Sequence, residues 1–205
     1  MFESEILHRH EVKAVLDSMK TRTSKNQLLD RIVFRLSAGC GLRVKGMCGL
    51  ILADLNTDSE FPYILIRRDN TKGQIKHRKP RRVPLYWDTG TRLDIVNWLN
   101  KRRRDGAEPS DPFICQQRYD TYGKPLKERV AACRWRTAIQ VLGESRLKEL
   151  SIHTGRHTFC SHALAAGRSV IEVKNAVGHS SISTTEIYLH AVGRENVPDL
   201  YPENE

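Results

Sequence analysis

Residues 151 to 167 read SIHTGRHTFCSHALAAG, and four of their side chains, His153, Arg156, His157 and His162, could carry chemistry. Three chemistries compete. His153 and His157, four apart, could ligate zinc if further ligands joined them. The metallopeptidase form of that pattern needs a glutamate directly after the first histidine, where this chain has Thr154. Arg156, lying between the histidines, is also a poor neighbour for a dication, so no metal is expected here. The second chemistry is none at all: a helix with solvated or capping histidines. In the third, His153 and Arg156 reach one anion together, and the planar guanidinium can hold two of its oxygens at once.

A second stretch, VGHSSISTTEIYLH, favours the third reading. It holds His179 and, nine residues later, Tyr188. A tyrosine near the end of a basic chain is ordinarily packing. Downstream of His153, Arg156 and His179 it becomes a candidate nucleophile toward a phosphodiester. The phosphotyrosine ester so formed keeps the energy of the broken bond for resealing, so neither ATP nor a metal is required, and no cofactor is expected.

Composition agrees with a polyanionic partner. The 205 residues carry a formal net charge of +10, and neutralising phosphates with such charge releases counterions. No apolar run approaches the roughly 20 residues of a membrane-spanning helix, and the charged start MFESEILHRHEVK is no secretory signal. Five scattered cysteines without a CxxC pair argue against a disulfide framework or a cysteine zinc cluster. A reducing, cytoplasmic setting is expected.

The elements that must position these residues are mostly helical. HEVKAVLDSM puts Val12, Val15, Leu16 and Met19 on one face, and NQLLDRIVFRLSAGCGLR repeats the period until Gly39 and Gly41. VKGMCGLILADL is expected to begin as a helix. FPYILIRRDN, KGQIKHRK and RRVPL read as strands of a small antiparallel sheet within residues 61 to 85. Helical pattern returns in DTGTRLDIVNWLNKRRR, with Leu93, Val96, Trp98 and Leu99 as apolar markers, and in KERVAACRWRTAIQVLG, closed by Gly143. Further helices are expected at the opening stretch, at VIEVKNAV and across ISTTEIYLHAV; the tail, 192–205, reads as polar and irregular. Trp87, Trp98 and Trp135 are expected in the core or an interface. The fold class is mainly α with one small antiparallel sheet (α+β).

HTGRHTFCSHALAAG and VGHSSISTTEIYLH together resemble the tyrosine recombinase (phage integrase) family, whose pattern runs His-x-x-Arg-His-Thr, Gly-His-Ser-Ser, then Thr-x-x-Tyr. SAGCGLRVKGMCGLILADL resembles that family's first arginine box and implies a catalytic Arg43. The resemblance covers about residues 5 to 195 and departs where Gly46 replaces the usual acid. It implies Lys76 as the catalytic lysine, eight residues before Pro84, with Lys72 second. It further implies that Arg43 and Arg156 clamp the scissile phosphate, that His179 donates to it, and that His153 handles a proton near the nucleophile Tyr188. Lys76 would protonate the leaving 5′ oxygen. Arg67, Arg68, Lys72, Arg78, Lys79, Arg81 and Arg82 are expected to contact DNA phosphates. His157 is expected on a different helix face from Arg156, as a structural partner, with His162 and His190 supporting.

The function implied is a site-specific DNA recombinase, cutting and rejoining strands of double-stranded DNA through a covalent 3′-phosphotyrosyl intermediate, in a tetramer on paired sites. A type IB topoisomerase and a DNA-binding module with decayed catalysis remain alternatives. The resemblance also implies that residues 1–205 form one catalytic domain with the family's N-terminal DNA-clamping domain absent.

Overall fold

A computed structural model describes residues 6–24, 26–68, 79–189 and 199–201. At its centre runs α2 (Gln27–Ala38), buried on nearly every side from Leu29 to Ala38. Around it pack α4 (Thr89–Arg104), α5 (Glu128–Ala138) and α7 (Ile152–Ala165). Burying α2 so fully means burying its charges. Asp94 of α4 answers two of them, accepting from Arg31 Nε and Arg35 Nε at 2.7 Å each. Arg35 also lies 3.5 Å from Asp88. This ion cluster turns the expected face of α4: Asp94, Ile95, Trp98 and Leu99 point inward, while Leu93, expected as a core marker, is 52% exposed.

The crossing of α2 and α7 depends on Gly155. A β-carbon there would sit 1.7 Å from Ser37 Oγ and 3.1 Å from the Ser37 carbonyl carbon, so only glycine lets the helices approach this closely. The approach fixes the depth at which the next residue, Arg156, enters the core.

The first helix, α1 (Arg9–Thr21), buries the four expected residues Val12, Val15, Leu16 and Met19. The short α3 (Val44–Cys48) follows Arg43, with Gly46 buried within it. The sheet is antiparallel in the order β1 (Leu55–Asn56), β2 (Tyr63–Ile66), β3 (Arg81–Pro84), with Ile64 opposite Val83 and Ile66 opposite Arg81. β2 and β3 are the first and last expected strands. The strand expected in KGQIKHRK lies almost wholly outside the described residues, and β1 was not expected at all. Gly143 does not end the helical run; it opens α6 (Gly143–Glu149) after a 3-10 turn at Ile139–Leu142. After α8 (Val170–Val177) the last described helix, α9 (Ser183–Glu186), is shorter than the pattern in ISTTEIYLHAV suggests.

The described part of the tail, residues 199–201, is irregular as expected, and it is packed. Leu200 N donates to Trp87 O at 3.0 Å, Arg9 Nη1 donates to Leu200 O at 2.7 Å, and Tyr201 Oη pairs with buried His162 Nδ1 at 2.6 Å. All three tryptophans are buried in the core. Among the described residues no helix is long and apolar enough to cross a membrane.

Candidate active site

Three guanidinium groups from three separate elements meet at one end of α7. Arg43 is the residue before α3 and is half-buried. Arg156, on α7, is 6% exposed. Its Nη1 donates to Gly41 O at 2.8 Å and its Nη2 to Val177 O at 2.7 Å, so one side chain ties the α2–α3 turn to the end of α8. Arg81, on β3, donates from Nε to Ala176 O at 2.9 Å. Among the described residues no carboxylate pairs with any of the three.

That lack of an acid has an electrostatic signature. Burial first, then Arg43, pushes Arg156 down to about 9, and burial with Arg43 pushes Arg81 down to about 10. Arg43 itself is lowered by burial. Each cation therefore stands to gain from an anion placed among them. Cys160, one helical turn beyond Arg156, is raised by burial to about 12 and stays a neutral thiol.

Two histidines and the tyrosine complete the cluster. α8 ends at Gly178 in a left-handed conformation, φ 70°, which suits glycine and turns the chain back so that His179 enters the site. His179 Nδ1 pairs with buried Thr185 Oγ1 at 2.9 Å. Burial, then Arg156 and Arg43, lowers His179 to about 4, so its ring is neutral at pH 7. In the tautomer that accepts from Thr185 at Nδ1, the ring proton sits on Nε2 as a donor. Tyr188 follows α9 and is 5% exposed. Its ring lies 6.4 Å from that of His179, nearly parallel at 15°.

The tyrosine's hydroxyl meets a residue that sequence reasoning set aside. Tyr188 Oη and His157 Nδ1 are 2.8 Å apart, and their rings are 5.6 Å apart at 62°. His157, expected as a structural partner, therefore touches the site through Tyr188. Residues four apart share a helix face, so His157 lies one turn beyond His153 on the side that Arg156 also borders. The spacing of the two histidines carried this signal. His153 itself is exposed.

The basic residues assigned to DNA contact divide into groups. Lys72, Lys76 and Arg78 lie outside the described residues. Arg68, Lys79 and Arg82 are exposed, with Arg82 stacked 4.5 Å over the Tyr63 ring. Arg67 donates to Gly49 O at 2.9 Å and lies 3.2 Å from buried Asp54, tying β2 to the segment before β1. Arg81 donates to Ala176 O and lies beside Arg43 in the cluster. Among the described residues no three His, Cys, Asp or Glu side chains gather as a metal site would need.

A helical body packed around one central helix, with a three-stranded antiparallel sheet, matches the fold of tyrosine recombinase catalytic domains. Residues 5–194 match the phage integrase family model, and the chain belongs to that family. It is 31% identical, over 85% of its length and 53% of the relative's, to the tyrosine recombinase XerD of Pseudomonas aeruginosa. It is 27% identical to XerA of Pyrococcus furiosus over 92% of the chain and 58% of that relative. The chain thus spans little more than half of these relatives. Among solved structures it resembles XerA recombinase, with TM-score 0.70, 20% identity and coverage of 90% of this chain and 58% of that one. It also resembles XerH bound to difH substrate after cleavage, with TM-score 0.69, 23% identity and coverage of 90% and 49%.

Proposed function

We propose that this chain is the catalytic part of a site-specific recombinase that cuts and rejoins double-stranded DNA through a 3′-phosphotyrosyl intermediate. Tyr188 Oη attacks the scissile phosphorus. Arg43 and Arg156 hold the non-bridging oxygens, and their fixed charge stabilises the pentacoordinate transition state without reorganising. His179 Nε2 adds a hydrogen bond to the same oxygens. Lys76 protonates the departing 5′ oxygen. His153, sharing a helix face with Arg156, belongs to the DNA side of the cluster, and Arg68, Lys79 and Arg82 contact neighbouring phosphates. Four such chains act on two paired sites, in the cytoplasm, where the DNA is.

What supports this reading is an arginine cluster with no carboxylate partner among the described residues, set beside a tyrosine whose hydroxyl is hydrogen-bonded to a histidine. A structural ion network would contain carboxylates; among the described residues this one contains none, and an added anion would complete it. XerH, a neighbour of the same fold, was solved on its DNA substrate, which supports duplex DNA as the partner.

The test begins by selecting bound duplexes from a random-sequence pool. Nicked versions of the recovered site should then trap a denaturant-resistant protein–DNA adduct. Wild type is expected to form it and Tyr188→Phe to form none. An adduct from Tyr188→Phe, or none from wild type on any recovered site, would overturn the proposal.

A further inference from the structure

One buried residue, Thr185, joins Tyr188 to His179. Its carbonyl oxygen accepts from Tyr188 N at 3.1 Å, and its hydroxyl pairs with His179 Nδ1 at 2.9 Å. Thr185 is fully buried, so water is no substitute partner for that hydroxyl. The histidine's backbone is held independently. Arg81 Nε, from β3, donates to Ala176 O at 2.9 Å. Gly178 N and His179 N both donate to Lys174 O, at 2.8 Å and 3.1 Å. What those contacts leave undecided is the ring. A neutral imidazole carries one proton, on either nitrogen, and its hydrogen bonds choose which. Burial, then Arg156 and Arg43, keep the His179 ring neutral at pH 7. Among the described residues its Nδ1 has Thr185 as partner and its Nε2 has none.

We propose that Thr185 is a positioning residue: its hydroxyl donates to His179 Nδ1 and so sets Nε2–H as the donor that meets the scissile phosphate. The inference rests on the recombinase reading above and adds a condition to it. An anion needs a donor, and the other tautomer would turn a lone pair on Nε2 toward it. Thr185 and Tyr188 belong to one short segment, joined from Tyr188 N to Thr185 O. The histidine is therefore a fixed donor only when the segment that carries the nucleophile is seated. The attacking phenol and the hydrogen bond that its transition state needs arrive together. Removing the Thr185 hydroxyl frees Nδ1 to compete for the ring proton, while Arg81 and Lys174 O still hold the turn. The loss should appear in the tautomer and in the rate, with the turn left in place.

Two measurements test this. The first needs no DNA: 15N NMR of histidine-labelled protein, with the His179 ring assigned by its loss in His179→Ala. Wild type and Thr185→Ser are expected as the Nε2–H tautomer, and Thr185→Val with part of its population protonated on Nδ1. A ring proton resident on Nδ1 in wild type, or a Thr185→Val tautomer unchanged from wild type, would overturn the proposal. The second is the single-turnover rate of adduct formation on the recovered nicked duplex. Thr185→Val keeps the shape of the buried side chain, and its rate should fall about tenfold, the weight of one hydrogen bond. Thr185→Ser, which keeps the hydroxyl, should stay within about threefold of wild type. In a His179→Ala background the further change Thr185→Val should cost less than about twofold, since the two residues act as a unit. A cost that persists undiminished in that background, or a Thr185→Ser loss as large as that of Thr185→Val, would leave Thr185 a packing role only and overturn the proposal. If wild type forms no adduct at all, the recombinase reading fails, and the NMR result still decides which nitrogen Thr185 fixes.

Discussion

Two sets of buried arginines occupy this small fold, and they are treated in opposite ways. On α2, Arg31 and Arg35 share one carboxylate, Asp94, at 2.7 Å each. On α7 and beside it, Arg156, Arg81 and Arg43 gather, and among the described residues backbone carbonyls alone orient the first two. The side chains are the same; what differs is the company. Where a carboxylate is supplied, the charge is consumed inside the fold and holds helices together. Where only carbonyl dipoles are supplied, the guanidiniums are oriented but their charge stays unneutralised. The first arrangement is architecture, and the second is a socket for an anion.

The contrast can be broken most severely at the paired end. Asp94→Ala leaves Arg31 and Arg35 buried without that acid. It should cost about 3–5 kcal/mol in urea denaturation, with unfolded protein appearing at room temperature. At the unpaired end, Arg43→Met removes one of three mutually repelling charges. Its stability should stay within about 1 kcal/mol of wild type, or rise, while adduct formation falls about 10²–10³-fold. Equal stability losses in the two variants would erase the distinction.

Gly155→Ala tests whether the socket depends on the helix crossing beneath it. A methyl group there meets Ser37, so α2 and α7 must part. A loss of about 1–3 kcal/mol is expected, with adduct formation reduced beyond what the unfolded fraction explains. A smaller effect concerns anions directly. Inorganic phosphate at about five times its dissociation constant should stabilise wild type by about 1 kcal/mol, and Arg43→Met by much less.

The last effect is pH. Burial lowers His162 to about 3 from an ordinary 6.5, so the folded chain binds fewer protons than the unfolded chain between those values. The stabilisation is therefore present above about pH 6.5 and is lost as pH falls toward 3. His162→Asn, which keeps a partner for Tyr201, should flatten that slope in thermal melts taken from pH 7 to pH 4.

Much of this was legible in the residues. The 3.6-residue period located α1, α2, α7 and α8, and the composition of the helical and strand segments gave the fold class. The two-residue β1 is too short to show alternation, and α6, with the sequence GESRLKE, is too polar to show an apolar face. Leu93 looked like a core residue because a sequence pattern cannot show that Asp94 is held inward by two arginines. The basic residues of the sheet region were read by charge alone. Charge does not reveal that Arg67 is bound to Asp54, or that Arg81 turns into the cluster. The motifs placed Arg43, Arg156, His179 and Tyr188 in candidate roles, and the structure puts all four in one neighbourhood. The motif does not show that His157 meets the Tyr188 hydroxyl, because that contact depends on how the chain after α9 packs against α7.

Mapping the trapped adduct identifies the nucleophile and the bond it forms. After nuclease and protease digestion, mass spectrometry should find the nucleotide on Tyr188, joined through its 3′ phosphate, with a free 5′ hydroxyl on the released strand. A nucleotide on any other side chain, or a bond through a 5′ phosphate, would contradict it.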